Sequence, residues 1–554
     1  MNGYKKLKKY KVVDFFCGGG GFSEGFKLAG FDIVFAVDRW QPAVVTHHGN
    51  HPNANTYLGD VIKIAGLSED EFHKLVPDSE IIIGSPPCTS FSNSNKSGKA
   101  DKSLGIQLIE AYLKIIVRKK IKKDSILEHW VLENVPNVEA YIKSEYTYRE
   151  LGVEMDGVLK VKYPSSKVYN SKYFGVASNR KRYFCGDFPE PEQTITNDED
   201  IKTVKEILSI LKAPKNNLEE VIFDPNYTDF KLVSKDITDH HYIMEIAEFE
   251  WQKAKRAKQD KGYMGKMSFP ENLNKPSRTI MATMSSCSRE SIIYPYIPEE
   301  NRFRVPTVRE IACIMSYPLD YRFYGKSKTI KYKLVGNSVP PKMSFAIAQA
   351  IAKSNQLQIP QKYTPIVFED KPLDDFINLN LDIFHINIEK QKRATARFKY
   401  HIPYLILKTF RVELTNRWSD FENGNFQWSA EIHKGQGPKA MYMTPEIDLS
   451  RILEEDVLKI EEFIKNMKAQ LPVANVFQAH YCMVSEKRKK RSLLGPDELL
   501  SNIREFIDIH FNVNNQRTIM YNKIEVPYLI YIGYIVLNKL VIHINRKESD
   551  EQRN

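Results

Sequence analysis

The stretch IIIGSPPCTSFSNSNKSGK (81–99) sets a cysteine directly after two prolines, where an isoleucine run gives way to a Gly/Ser/Asn/Lys-rich segment. Proline fixes its own backbone and pushes the residue before it into extended geometry. The Cys88 thiol is thereby held on a rigid corner, where a thiolate can serve as a nucleophile. A lone cysteine is otherwise a small buried hydrophobe. In VLENVPNV, Glu133 closes an apolar strand just before Asn134. An acid so placed can work as a protonated general acid, or it is a surface carboxylate at a loop start. YFGVASNRKRYF carries Arg180 and Arg182 at i, i+2 of a predicted strand, which turns both to one face. Guanidinium groups there can steer a carboxylate, a phosphate or a base oxygen, or form an edge-strand charge pair.

A second group of residues suits a cofactor. DFFCGGGGFSEGF has four glycines, Gly18 to Gly21, ahead of a predicted helix. Glycines let the backbone pass close to a ligand, and a helix start offers free N–H groups. Asp38 ends the next predicted strand, 17 residues after Gly21, where it can accept from ribose hydroxyls. A plain tight turn explains the glycines nearly as well; the spacing to Asp38 favours a nucleoside-bearing cofactor. In YKLVGNSVPPKMSFAIAQAIA, Gly336, Asn337 and Ser338 read as a turn, and Pro340–Pro341 open a helix. Asn337 and Ser338 can touch a cofactor or merely cap that helix.

The elements that must position these residues run strand (KYKVVDFF), glycine turn, helix (SEGFKLAG, closed by Gly30) and strand (FDIVFAVD), the opening of a doubly wound α/β sheet. NTYLGDV, SEIIIGSPP and HWVLENV continue the strands, each ending in a polar or proline-bearing corner. Ligands bind beyond the carboxyl ends of such strands, so the corners can converge on one crevice. Residues 189–275 show poor periodicity and contain a basic helix-like segment, EFEWQKAKRAKQDKGYMGK. Helix signals return at TVREIACIMSYP and PPKMSFAIAQAIAKS, and NQLQIPQKYTP (355–365) reads as a linker. DVLKIEEFIKNMKAQ has helical apolar spacing, and YLIYIGYIVLNKLVIHI reads as two paired strands, too short to span a bilayer.

The 554 residues allow several domains, and the balance of 42% hydrophobic and 27% charged residues is that of a globular protein. Six cysteines (Cys17, Cys88, Cys185, Cys287, Cys313, Cys482) lack CxxC or Cys/His spacing, which argues against a disulfide framework or a zinc site and fits a reducing cytoplasm. The N-terminal stretch has basic residues but no apolar run before a cleavage site, so no signal peptide is expected. The net charge is +11, yet residues 360–554 hold 28 Lys+Arg against 26 Asp+Glu. The basic excess therefore lies in the first two-thirds and suits a polyanion such as nucleic acid.

Taken together and in order, DFFCGGGGFSEG, GSPPCTSFS, LENV, SNRKR, TVREIA and VGNSVPP resemble the cytosine-5 DNA methyltransferase family of the bacterial restriction–modification type, over residues of about 10–353. The resemblance implies a Rossmann-like S-adenosylmethionine-dependent core at 1–186 and 306–354, an inserted target-recognition region at 187–305, and an additional C-terminal α+β domain at 366–554. It implies that Phe16, Gly18, Gly20 and Gly21 line the methionine and ribose side of the cofactor, Asp38 the ribose, Asp60 and Val61 the adenine, and Pro87 and Asn337 the sulfonium end. It assigns Cys88 as nucleophile toward C6 of a flipped cytosine, Glu133 as the partner of N3, and Arg182 with Arg180 as the groups that orient the ring and Glu133. The loop 89–107 would close over double-stranded DNA. Residues Ala177–Ser178 replace the family's Pro–Gln, Asp38 its more common Glu, and Met315–Ser316 its Gln–Gly.

Expected partners are double-stranded DNA and a cognate restriction endonuclease acting on the same site, with no membrane and no metal. Two other readings stand beside this one: methylation of transfer RNA cytosine, and an inert DNA-binding regulator. Lys253, Lys255, Arg256, Lys258 and Lys261 can neutralise phosphates or form a solvated helix face. In the C-terminal region, SEKRKKRS reads as a solvated basic loop, and Glu431 and Lys434 of SAEIHKG with Asp420 as a remote candidate for a metal-dependent nuclease site.

Overall fold

Strand β1 (Lys11–Phe15) owes its position to alternation: Val13 and Phe15 enter one apolar cluster and Val12 the other. The same split runs through β2 (Asp32–Asp38), β4 (Ile81–Gly84) and β5 (His129–Asn134). A parallel sheet covered on both faces demands such near-continuous apolar runs. With β3 (Asn55–Leu58), β6 (Lys167–Asn170) and β7 (Lys181–Cys185), these strands make a seven-stranded sheet in the order β3-β2-β1-β4-β5-β7-β6. Strands β1 to β5 are parallel; β7 runs antiparallel to β5 and β6. The order reverses between β1 and β4, which opens a crevice past their carboxyl ends.

Helix α1 (Gly21–Leu28) covers one face, with Phe22 and Phe26 in the same cluster as Met343, Ile347 and Ile351. The other face holds α3 (Val61–Ala65) and α4 (Ser103–Ile121), through Ile64, Ile109, Tyr112 and Ile116. Helix α2 (Gln41–Asn50) follows β2. Later in the chain come α5 (Val308–Ile314), α6 (Lys328–Asn337) and α7 (Pro341–Ser354), the last being the helix that supplies Met343, Ile347 and Ile351.

This computed structural model describes residues 9–87, 91, 102–212, 214, 218–260, 266–283, 285–368, 389–435, 440–512 and 516–546, and the backbone at 382–385. Two units divide the chain. The first comprises Met1–Glu245, Pro270–Ser285 and Glu290–Phe384; the second comprises Ile246–Phe269, Ser286–Arg289 and His385–Asn554.

In the second unit, an antiparallel sheet is built from β8 (Lys399–His401), β9 (Phe410–Thr415), β10 (Ser429–Lys434) and β11 (Met441–Met443). Val412, Leu414, Ala430 and Ile432 turn to a core shared with α8 (Glu454–Lys468), α9 (Pro496–His510) and α10 (Tyr528–Ile544). The opposite face pairs Glu413 with Glu431 and Arg411 with His433 across the strands.

Several local expectations are corrected. YLIYIGYIVLNKLVIHI is one helix, α10, with buried side chains around most of its circumference. A helix apolar on nearly every side carries no 3.6-residue periodicity, so its sequence imitates β strands. Gly336 and Asn337 end α6 rather than forming a free turn, and the bounds of α4 make residues 103–107 helical, not loop. SEKRKKRS contains a short helix, Ser485–Lys490, whose Arg488 is buried against Glu498 (2.9 Å). The basic segment is the helix Glu248–Gln259 of the second unit, where Lys258 is buried and Arg256 pairs with Asp497 (3.1 Å); Lys261 lies outside the described residues.

Candidate active site

The turn after β1 is shaped by positive φ at Phe16 (62°), Gly18 (52°) and Gly20 (79°). Phe16 holds a conformation that bulky residues avoid, a local strain of the kind that gathers at functional sites. Asp38, at the end of β2, staples the turn: Oδ2 accepts from the Gly18 N–H (3.0 Å) and Oδ1 from the Trp40 N–H (2.9 Å). Burial pushes the Asp38 carboxyl up, and these two N–H groups oppose that shift. From below, the hydroxyls of Tyr317 (3.2 Å) and Tyr321 (2.8 Å) donate to the Gly19 carbonyl. Those tyrosines dictate the glycines. A Cβ at Gly20 would lie 2.1 Å from the Tyr321 hydroxyl, and one at Gly21 2.1 Å from the Val339 carbonyl oxygen.

Behind the turn sits a buried polar chain. Ser23 Oγ donates to Asp14 Oδ2 (2.6 Å), and His47 Nε2 lies 3.0 Å from Ser23 Oγ. Desolvation pushes the Asp14 carboxyl up to about 7 and the His47 imidazole down to about 3.

The corner after β4 is bolted on two sides. The Ser85 N–H donates to the Phe15 carbonyl (3.1 Å), and Asn134 Nδ2 donates to the Pro86 carbonyl (2.9 Å). Ser85 Oγ donates to Glu133 Oε2, while Arg182 Nε meets Glu133 Oε1 at 3.0 Å. The Glu133 residue is 4% exposed. Arg180 falls between two strand segments rather than in one continuous strand with Arg182, and its Nη1 donates to the Ile280 carbonyl (3.2 Å).

The glycine turn, the Pro86–Pro87 corner and the Glu133–Arg182 pair border one cavity of about 440 Å³. Its wall brings together Phe16, Gly18, Gly21, Asp38, Asp60 and Val61 with Pro87, Glu133, Arg180, Arg182 and Asn337. Gly20 is not on that wall, because its Cβ side faces Tyr321; Gly19 takes its place. Asp60 Oδ1 caps α3 by accepting from the Ile62 N–H (2.9 Å). Cys88 lies outside the described residues, as do 89, 90 and 92–101 of the adjoining loop.

Sequence reasoning passed over Ser85, Trp40, Leu108 and Lys333, which also line the cavity. Trp40, two residues past Asp38, and Ser85, three before Cys88, lie beside motif residues in the sequence. Lys333, whose Nζ lies 4.9 Å from the Trp40 ring centroid, gives no local signal. At Ser316, where the resembled family commonly has Gly, φ is +67° and Oγ accepts from the Lys342 N–H (3.0 Å).

The remote nuclease reading finds no support in the second unit. Glu431 is paired with Arg417 (2.6 Å), and Asp420 accepts from the backbone of Glu422 and Asn423 in its own turn. Among the described residues, no three His, Cys, Asp or Glu side chains gather as a metal site. Among them too, no helix is long and apolar enough to cross a membrane.

The model of the family described as C-5 cytosine-specific DNA methylase matches residues 10–353. The chain is 28% identical over 359 residues to the type II methyltransferase M.MthTI of Methanothermobacter thermautotrophicus, covering 62% of this chain and 97% of that one. It is 29% identical to the type II methyltransferase M1.HphI of Haemophilus parahaemolyticus, covering 63% and 90%. Among solved structures, the S. pombe Dnmt2 methyltransferase aligns over 63% of this chain and 100% of its own, with 16% identity and a TM-score of 0.42.

Proposed function

The chain belongs to the C-5 cytosine-specific DNA methylase family, and from that premise we propose that it transfers a methyl group from S-adenosylmethionine to C5 of a cytosine flipped out of double-stranded DNA at a specific site. The observation that carries this reading is the convergence, on one cavity at the strand-order reversal, of the glycine turn, the Pro86–Pro87 corner and the Glu133–Arg182 pair.

The cavity residues fit the cofactor. Its volume of about 440 Å³ is that of a small-molecule cleft. A Cβ at Gly18 would meet only the Phe16 carbonyl oxygen, at 3.8 Å, so this stretch of the cavity wall is open backbone. Phe16, Gly18 and Gly21 would hold the methionine and ribose side, Asp38 the ribose hydroxyls, Asp60 and Val61 the adenine, and Pro87 and Asn337 the sulfonium end. When bound, the group would supply an electrophilic methyl on a sulfonium, with the S–CH3 bonding pair left on sulfur as a neutral thioether.

The chain's own residues do the rest. The Cys88 thiolate adds to C6 of the cytosine, and the ring's electrons flow toward N3. Glu133, as the acid, meets N3 and offsets that charge; Arg182 fixes its carboxyl, and Arg180 borders the same space. C5 becomes nucleophilic and takes the methyl group. A base then removes the C5 proton, and the C6–S bond breaks to release Cys88. A base within a duplex stack cannot be reached in this way, which is why it must be flipped.

In the same reading, residues 187–305 choose the site, 1–186 and 306–354 form the core, and 366–554 are an accessory domain. The activity protects DNA against a cognate restriction endonuclease, in the cytoplasm. Base-resolution mapping of 5-methylcytosine on plasmid DNA from cells expressing the chain tests this. A single cytosine methylated in a recurring short site is the expected result, with none for Cys88→Ala. Unmethylated DNA from well-expressed, folded protein overturns it.

A further inference from the structure

The corner after β4 and the end of β5 are joined by two hydrogen bonds, not by backbone pairing alone. Pro86 O accepts from Asn134 Nδ2 at 2.9 Å, and Ser85 Oγ donates to Glu133 Oε2. Arg182 Nε takes the other carboxylate oxygen, Oε1, at 3.0 Å. Glu133 is therefore held at both oxygens, by a hydrogen bond at Oε2 and an ion pair at Oε1, and the two partners come from different elements: Ser85 from the corner that precedes Cys88, Arg182 from β7. A carboxylate gripped at one oxygen alone can still rotate about its terminal torsion, which is broad and soft. Gripped at both, its plane is set, and its remaining lone pairs are directed by the protein. Ser85 and Glu133 both border the cavity, and the Ser85 backbone is itself anchored by its N–H to Phe15 O (3.1 Å).

We infer that Ser85 is a positioning residue for the proposed transfer: its hydroxyl fixes the rotation of the Glu133 carboxyl and sets the distance between that acid and the corner leading to Cys88. The inference rests on the reading of Glu133 as the group that meets the base. It does not make Ser85 a proton donor to substrate. The hydroxyl contributes by keeping the acid aligned before the cytosine arrives, an alignment the base would otherwise have to impose at its own binding cost.

The test uses the full chain, a duplex carrying the mapped site, and the same duplex with 5-fluorocytosine at the target. Ser85→Ala is expected to lower kcat and the rate of covalent trapping about 10- to 100-fold, the effect of one hydrogen bond to a charged group. S-adenosylmethionine affinity and melting temperature should stay close to wild type. Ser85→Thr keeps the hydroxyl and should restore most of the rate. In a Glu133→Gln background, Ser85→Ala should cost less than about twofold more, because the two groups act as one unit. Wild-type rates in Ser85→Ala overturn the inference, and so does an additive loss in the double variant or a loss in Ser85→Thr equal to that in Ser85→Ala. A wild-type protein that neither methylates nor traps the duplex overturns the reading of the site itself, and is thereby told apart from failure of the Ser85 role.

Discussion

Buried acids occur in both units, and they have opposite fates. In the first unit, Glu133 is held by Ser85 and Arg182 at the edge of a cavity that Asp38 and Asp60 also line. In the second, Glu413 and Glu431 face each other across β9 and β10, and cations surround them: Arg411 (2.8 Å) and Lys399 (3.2 Å) on Glu413, Arg417 (2.6 Å) on Glu431. His433 adds a ring nitrogen 2.8 Å from Glu413. That lattice neutralises itself. The difference teaches that burial of a carboxylate is no mark of chemistry; what matters is whether its fixed partners leave it facing an open space that other functional groups share.

The largest effect expected from this contrast is kinetic. Glu133→Gln should lower kcat by about 10²- to 10⁴-fold, the usual weight of a general acid, while Glu431→Gln should leave the methylation rate per folded molecule unchanged. Parallel rate assays on the two variants would break the comparison if Glu431→Gln lost activity on the same scale. Next comes Gly21→Ala. Its methyl group would sit 2.1 Å from Val339 O and 2.6 Å from the Tyr317 hydroxyl. Overpacking of this kind destabilises by about 1–3 kcal/mol, read as a lower melting temperature together with weakened S-adenosylmethionine binding by calorimetry. Asp38→Ala should weaken that binding about 10- to 100-fold with a smaller thermal loss, since two backbone N–H groups also lose their acceptor.

Glu431→Gln, by contrast, should cost about 1 kcal/mol at most, because its partner Arg417 is 35% exposed and solvent screens the pair. A separate effect is read against pH. The Asp14 carboxyl, raised by burial to about 7, favours folding fully below its unfolded value near 4, and that contribution is lost as pH rises through about 7. Asp14→Asn cannot ionise, so the melting-temperature difference between variant and wild type should shift in the variant's favour from pH 5 to pH 8. A difference that stays flat across that range would place the ionised carboxylate in the native state.

The parts of this molecule legible in its sequence are those where local pattern and tertiary role agree. β1, β2, β4 and β5 show apolar runs closed by polar corners, and the corners carry the candidate residues, so the crevice follows from topology. Other parts fail for stated reasons. Helix α10 is buried on nearly all sides and loses its period. The cations of the helix Glu248–Gln259 read either as phosphate contacts or as a solvated face, and two of them fit neither, since Lys258 is buried and Arg256 is paired within the second unit. Tyr317 and Tyr321 touch Gly19 across some 300 residues of chain, and no local spacing announces such a contact. Ser85 was visible beside the prolines, but its partner Glu133 becomes its neighbour only once β4 and β5 pair.

Those two tyrosine hydroxyls have a consequence for biosynthesis. The glycine turn leaves the ribosome some 300 residues before the groups that clamp its carbonyl, which come after α5, and α1 finds its partner only when α7 arrives, with Ser344 Oγ donating to Phe22 O at 2.6 Å. A nascent chain that has made β1 to β5 therefore owns the strands of the pocket but not its floor. On the proposed reading, a chain truncated ahead of Asn337 lacks that residue and Val339 of the cavity wall and the helix that packs on α1, and is expected not to bind S-adenosylmethionine, whatever the state of the residues that would touch the base.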